Sequence, residues 1–213
     1  MKINRCLACD KCQSKEHYLR CVQEEKDDVR MIFGKMEQAD LVIYSTPVYV
    51  MGMSVLLKTL FDRMYGISDC KDLLVTRTGI FFHHTNREVC CKPFVALICC
   101  DSVEDETPRN IVSYFKTYSK YMEAPLAGML VRNAGRLAGH GADPEREKYL
   151  PKLRRVHEAY EQAGRELAST GSISRSTQEK ANREIVPVRM FHILKRLKPF
   201  KKRFVERARS MQG

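Results

Sequence analysis

Two short apolar runs constrain this chain most: Leu41-Val42-Ile43-Tyr44 and Phe94-Val95-Ala96-Leu97-Ile98-Cys99 are apolar, or nearly so, at every position. A strand with one wet face alternates apolar and polar residues, so unbroken runs predict strands covered by helices on both faces, as in a parallel sheet. Stretches of helical periodicity flank them. Asp27 to Gln38 sets Val29, Ile32, Phe33 and Met36 on one face, Ser54 to Met64 does so with Leu57, Leu60, Phe61 and Met64, and Pro108 to Met122 with Ile111, Phe115, Tyr118 and Met122. Leu126 to Val131 reads as a shorter strand, and Pro144 to Ala168 as one long helix with Leu150, Leu153, Val156, Tyr160, Ala163 and Leu167 along a stripe. Pro47 is expected to end the first strand, and a loop is expected through Gly66, Gly79 and the His83-His84 pair. Strands alternating with helices predict an α/β fold.

The 213 residues suffice for one domain and an appendage. Residues 1–25 read as a cysteine-rich loop, 26–170 as the α/β domain, and 171–213 as a polar linker, Gly171-Ser172-Ile173-Ser174, followed by a basic amphipathic tail. The formal charge of +11 is local: from Pro187 to Gly213 nine Lys and Arg face one acid, Glu206, a balance of +8 that leaves +3 for the rest. The main domain therefore needs no polyanionic partner, and specific nucleic-acid binding is not expected. In the tail Pro199 breaks or kinks the helix between two apolar halves, and three partners stay open: the protein's own core, an anionic membrane surface, and a nucleic acid or protein partner. No apolar run approaches the ~18 residues of a membrane span, and the first residues carry no secretory h-region, so a cytoplasmic location is expected.

Nine cysteines in such a chain point to metal, cluster or redox chemistry rather than disulfides. Cys6, Cys9, Cys12 and Cys21 form C-x2-C-x2-C-x8-C. A three-cysteine run with a fourth ligand from a short loop suits an iron-sulfur cluster, whereas structural zinc prefers separated pairs. A [4Fe-4S] cluster, zinc and uncoordinated thiols stay open on spacing alone. Cys90-Cys91 and Cys99-Cys100, read as adjacent strand residues pointing to opposite faces, do not supply two ligands to one metal, and Cys99 reads as a small buried hydrophobe. His83 and His84 read as solvated or hydrogen-bonded side chains.

In open parallel sheets ligands sit beyond the carboxyl ends of strands, which directs attention to Thr46-Pro47-Val48-Tyr49-Val50-Met51-Gly52-Met53. A proline stiffens this exit, Tyr49 offers a flat ring, and Gly52 lets backbone come close to a ligand. The words Thr46-Pro47-Val48-Tyr49, Met53-Ser54, Leu57-Lys58 and Asp62-Arg63, together with the cysteine run, resemble the NADPH-dependent flavin reductase and iron-sulfur flavoprotein families.

That resemblance runs from about Arg5 to Leu167 and implies a flavodoxin-like three-layer fold. It implies FMN contacted by Thr46, Pro47, Val48, Tyr49, Met51, Gly52 and Met53, a [4Fe-4S] cluster on Cys6, Cys9, Cys12 and Cys21, and NAD(P)H or a ferredoxin-like protein as electron donor. It further implies a homodimer or higher homo-oligomer, with Lys58 to Arg63 on an interface helix, and a redox partner protein. For Lys58, Asp62 and Arg63 an ordinary charged helix face is the competing reading. Relatives open with a strand, a phosphate-binding loop, a helix and a second strand that have no counterpart here, so a replacement for the FMN phosphate site is not evident. The acidic loop Asp101 to Glu106 disfavours a phosphate-bearing nucleotide beside it.

The expected function is a flavin-dependent oxidoreductase or electron-transfer flavoprotein. A flavodoxin-like scaffold serving in binding or assembly, and a cluster-only electron carrier, are the rivals. The missing first strands leave Leu41 to Tyr44 on a sheet edge, so either the protein begins upstream of Met1 or another chain or the basic tail covers that edge.

Overall fold

The computed structural model describes residues 1–139, 143–186 and 190–210. Its strands in chain order are β1 (Val42–Tyr49), β2 (Gly52–Met53), β3 (Ser68–Val75), β4 (Phe81–Thr85), β5 (Phe94–Cys99) and β6 (Leu126–Arg132). The helices are α1 (Val29–Gln38), α2 (Val55–Arg63), α3 (Arg87–Cys90), α4 (Arg109–Tyr121) and α5 (Gly135–Ala138). They continue with α6 (Pro144–Tyr149), α7 (Pro151–Thr170), α8 (Arg175–Ala181), α9 (Phe191–Leu194) and α10 (Lys198–Ser210).

The central sheet has the order β2-β1-β5-β6, and β1, β5 and β6 are mutually parallel. Tyr44 lies opposite Ala96 and Ala96 opposite Met129, so residues of equal register share a face. One face is closed by α1, α2 and α4 over a knot of rings: Tyr44, Phe61, Phe94, Phe115 and Tyr118 are all buried, with Tyr44 and Phe61 centroids 5.0 Å apart. Phe94 and Phe115 are fully enclosed, and rings at such spacings add to what their burial contributes. This is an α/β fold with helices on both faces of a parallel sheet.

The second face is covered unevenly. Over β5 and β6, Val95 and Leu130 pack with Ala159 and Ala163 of α7, Ala181 of α8 and Ile173. Over β1 the cover stops: Ile43, Ser45, Pro47 and Tyr49, the alternate residues pointing this way, are all exposed or half-exposed. The apolar run of β1 is therefore enclosed on one side only. Its outer edge is also bare from Val42 to Pro47 among the described residues, because β2 pairs only with Val48 and Tyr49.

Three local expectations change. Pro47 does not end β1; the strand runs through it and turns back into β2, with Val48 opposite Met53. The segment around Gly79 and His83-His84 is an antiparallel hairpin, β3 with β4, rather than an open loop. The long helix breaks at Leu150, since Pro151 disfavours helical backbone before it and opens α7 at its own first turn. At Pro199 the expected break is present: α9 ends at Leu194, and Pro199 stands in the first turn of α10.

The predicted linker is docked. Ile173 is buried, donates its N–H to the Ala127 carbonyl at 2.7 Å, and fills the space left by Gly128, where an added Cβ would come within 2.5 Å of Ile173 Cδ1. From α8 and its cap, Gln178 Oε1 accepts from Met129 N–H at 2.9 Å, and Asn182 Oδ1 accepts from Val131 N–H at 2.7 Å. Amide side chains thus occupy the outer edge of β6, as a further strand would. In the tail, Ile193, Leu197 and Val205 are exposed, and Lys195 pairs with Glu104 of the acidic loop. Residues 187–189 and 211–213 of the tail lie outside the described residues. No helix among the described residues is long and apolar enough to cross a membrane.

Candidate functional site

Residues 5–26 form a loop closed at its neck. Lys2 N–H donates to Asp28 Oδ2 at 2.6 Å, Asp28 N–H returns to the Lys2 carbonyl at 2.9 Å, and Asn4 N–H donates to Asp27 Oδ2 at 2.9 Å. Asp27 also pairs with Arg63 at the end of α2, and Arg63 Nη1 donates to the Asn4 carbonyl at 3.0 Å. Both side chains of this pair are enclosed, Arg63 at 1% and Asp27 at 0% exposure. Burial pushes the Asp27 carboxyl up, but the Arg63 hydrogen bond and the N–H groups of Asn4 and Val29 outweigh it and hold it below the usual range.

Beyond the neck the loop leans on β3. Gln13, buried in a 3-10 turn at Lys11–Gln13, donates to the Tyr65 and Ser68 carbonyls at 3.3 and 2.8 Å and accepts from Cys70 N–H at 3.1 Å. Tyr65 donates to Asp10 at 3.0 Å, Lys71 to the Gln13 carbonyl at 2.8 Å, and Tyr18 to Asp69. Such satisfied contacts order a stretch that has almost no regular secondary structure.

Inside this frame Cys6, Cys9, Cys12 and Cys21 all line one small cavity, walled also by Leu7, Ala8, Val22, Arg63, Tyr65 and Gly66. The chain bends around it at a conformational cost: Ala8 and Asp10, on either side of Cys9, take left-handed φ of 49° and 52°. Gly66 is buried against Cys21, and a Cβ there would stand 3.3 Å from Cys21 Cβ, so glycine gives Cys21 room at the cavity wall. Burial raises the Cys12 thiol; the Gln13 amide opposes this, and the neighbouring Cys21 and Cys6 add to the upward push. Among the described residues no three His, Cys, Asp or Glu side chains are gathered closely enough to hold a single metal ion.

The β1–β2 hairpin lies at the opposite end of α2, which at nine residues is about 13 Å long. Thr46 is buried at 1% exposure; its hydroxyl donates to the Pro47 carbonyl at 2.8 Å and accepts from Ser54 N–H at 3.0 Å, while Ser54 caps α2. Thr46 therefore holds the hairpin to the helix. Val48 and Met53 pack towards the core, Gly52 is half-buried, and Pro47, Tyr49 and Met51 face outward. At the tip Val50 and Met51 have φ of 46° and 58°, costly for a β-branched residue, and Val50 is 93% exposed. A strained tip showing apolar side chains to water is the second candidate surface.

The remaining cysteines and histidines stand apart. Cys90 closes α3, fully buried, and burial pushes its thiol up to about 12; Cys99 is exposed rather than enclosed, because the sheet face is bare beside it. His83 and His84 are on β4, and His83 stacks against Phe82 at 4.1 Å. Arg63 departs from the charged-face reading: Lys58 and Asp62 pair at the surface, whereas Arg63 is buried beside the cysteines. Its place three residues after Leu60, on the apolar side of α2, was the available signal.

The NADPH-dependent FMN reductase family profile matches residues 4–83, a stretch that holds the cysteine loop, the hairpin and α2. An iron-sulfur flavoprotein of Methanocaldococcus jannaschii is 42% identical over 66 residues, which is 31% of each chain. One from Archaeoglobus fulgidus is 39% identical over 67 residues, 30% of this chain and 28% of that protein. The matches thus span less than a third of these relatives' length. Among solved structures, the Trp repressor binding protein of Bacillus subtilis aligns over 50% of this chain and 62% of its own, with 20% identity and a TM-score of 0.39. Residues 4–83 are thus similar to the NADPH-dependent FMN reductase family and, within it, to the iron-sulfur flavoproteins.

Proposed function

We propose that this chain works in a flavin-dependent oxidoreductase or electron-transfer flavoprotein that holds a [4Fe-4S] cluster on Cys6, Cys9, Cys12 and Cys21. The observation that carries the proposal is the meeting of all four spaced cysteines at one cavity. Structural zinc prefers separated pairs of cysteines, whereas a three-cysteine run with a fourth from a short loop matches the ligand set of a four-iron cluster. Burial raises the Cys12 thiol, and ligation requires the thiolate, so loading a cluster there releases its proton.

FMN, when bound, supplies hydride and one-electron chemistry, and the cluster supplies one-electron transfer. The chain's part is position and exclusion of water. Thr46 and Ser54 fix the hairpin, Tyr49 and Met51 offer flat and soft apolar surface to a ring, and α2 links hairpin and cysteine cavity through the rigid core. Support for FMN and for NAD(P)H as donor comes from the family match, and support for the cluster also from the relatives' names. A homo-oligomer and a redox partner protein belong to the same reading, with the bare face and edge of β1 as the surface they would use. One observation favours a second reading, a cluster-only electron carrier: the cavity is complete within residues 6–66 and takes nothing from the hairpin.

An absorption spectrum of anaerobically purified protein tests this. Flavin bands together with a broad iron-sulfur band are expected. Cluster absorption without flavin gives the second reading, and neither chromophore after reconstitution with iron, sulfide and FMN removes both.

A further inference from the structure

Arg63 carries a donor that nothing uses. Its Nη1 serves Asp27 and the Asn4 carbonyl, but Nε is buried with no hydrogen-bond partner among the described residues. A buried unsatisfied N–H, here on a side chain 1% exposed, is costly and calls for an acceptor. Arg63 is also one of the walls of the four-cysteine cavity. The remaining walls are Leu7, Ala8, Val22, Gly66 and residues already engaged elsewhere, such as Tyr65 with Asp10, so among them Arg63 stands out as a buried cationic donor.

We propose that Arg63 Nε–H is the hydrogen-bond donor to a sulfur of the bound cluster, a cysteine thiolate or a bridging sulfide, and that it raises the cluster's reduction potential. The inference rests on the cluster reading above. One-electron reduction of a cluster held by four thiolates adds a unit of negative charge to the site, and hydrogen bonds to its sulfurs stabilise that charge. Asp27 offsets much of the guanidinium's net charge, which leaves the directed N–H as the effective element. The guanidinium then acts at two places at once, with Nη1 closing the neck of the loop and Nε addressing what the loop encloses. Arg63 is on these grounds a positioning and tuning residue.

The test uses the full chain, reconstituted anaerobically, with Arg63→Lys as the variant. Lysine keeps a cation beside Asp27 and lacks the second, rigidly placed N–H. Iron and sulfide are counted first, then the potential is measured by titration with dithionite and mediators, followed by electron paramagnetic resonance. Equal iron and sulfide with a potential shifted to more negative values, outside titration error, is the expected result. Equal content with an unchanged potential overturns the inference and leaves the cluster reading standing. No iron or sulfide in the unsubstituted protein overturns both. Should the variant fail to fold or load, unsubstituted protein labelled with 15N at arginine Nε decides: a weak nitrogen coupling to the reduced cluster is expected, and its absence overturns the inference.

Discussion

Asp27 and Arg63, thirty-six residues apart in sequence, form an ion pair closed off from water at the neck of the cysteine loop. Breaking such a pair from one side leaves the other charge buried, at a typical cost of about 3–5 kcal/mol. Asp27→Asn is therefore expected to lower the urea midpoint strongly at neutral pH. The folded Asp27 carboxyl titrates below its unfolded value of about 3.9. Its contribution is fully present above that unfolded value and is lost as pH falls through the lower, folded one. The stability gap between the unsubstituted protein and Asp27→Asn should accordingly narrow below about pH 4. A gap that stays constant down to the acid limit of folding contradicts this role.

Ile173 against Gly128, and Gln178 and Asn182 on the edge of β6, make residues 171–182 part of the domain. A chain ending at Val186 should keep one cooperative unfolding transition, whereas a chain ending at Thr170 should lose it. Ile173→Ala should cost about 2–5 kcal/mol, as other large-to-small changes in cores do. Calorimetry on the three proteins is the check, and an intact transition in the shorter truncation would show the docking to be dispensable.

The uncovered edge of β1 carries Ile43 at 57% exposure. An open apolar edge pairs with other chains. These 213 residues on their own should therefore sediment above monomer mass, and Ile43→Lys should shift them towards monomer with little change in melting temperature. Equal sedimentation of both proteins would assign any self-association to another surface.

Tyr49 stands outward at the hairpin and contributes little to the core, so Tyr49→Ala should leave stability within about 0.5 kcal/mol. Flavin retained per chain after gel filtration should nevertheless fall several-fold. Undiminished flavin content would remove the hairpin from the binding surface.

How far the sequence carries depends on what each residue type reports. Phe94 to Cys99 was legible as a strand because both its faces are packed over most of its length, while the same kind of run at Ile43 is wet on one side for want of covering structure, which no periodicity reveals. Pro151 marked a helix start inside a stripe that otherwise reads through, and the stripe concealed the break. Spacing singled out the four cysteines, but not the frame around them. Gln13, Asp27 and Gly66 act through contacts with Cys70, Arg63 and Cys21, all distant in sequence, and Arg63 looked like one member of a charged run until its burial was seen.

The central claim is that Cys6, Cys9, Cys12 and Cys21 hold one cluster, and iron and acid-labile sulfide counted on the anaerobically reconstituted chain test it most directly. About four iron and four sulfide per chain are expected, falling sharply in Cys12→Ser. Stoichiometric zinc, no metal at all, or the same iron and sulfide in Cys12→Ser would contradict it.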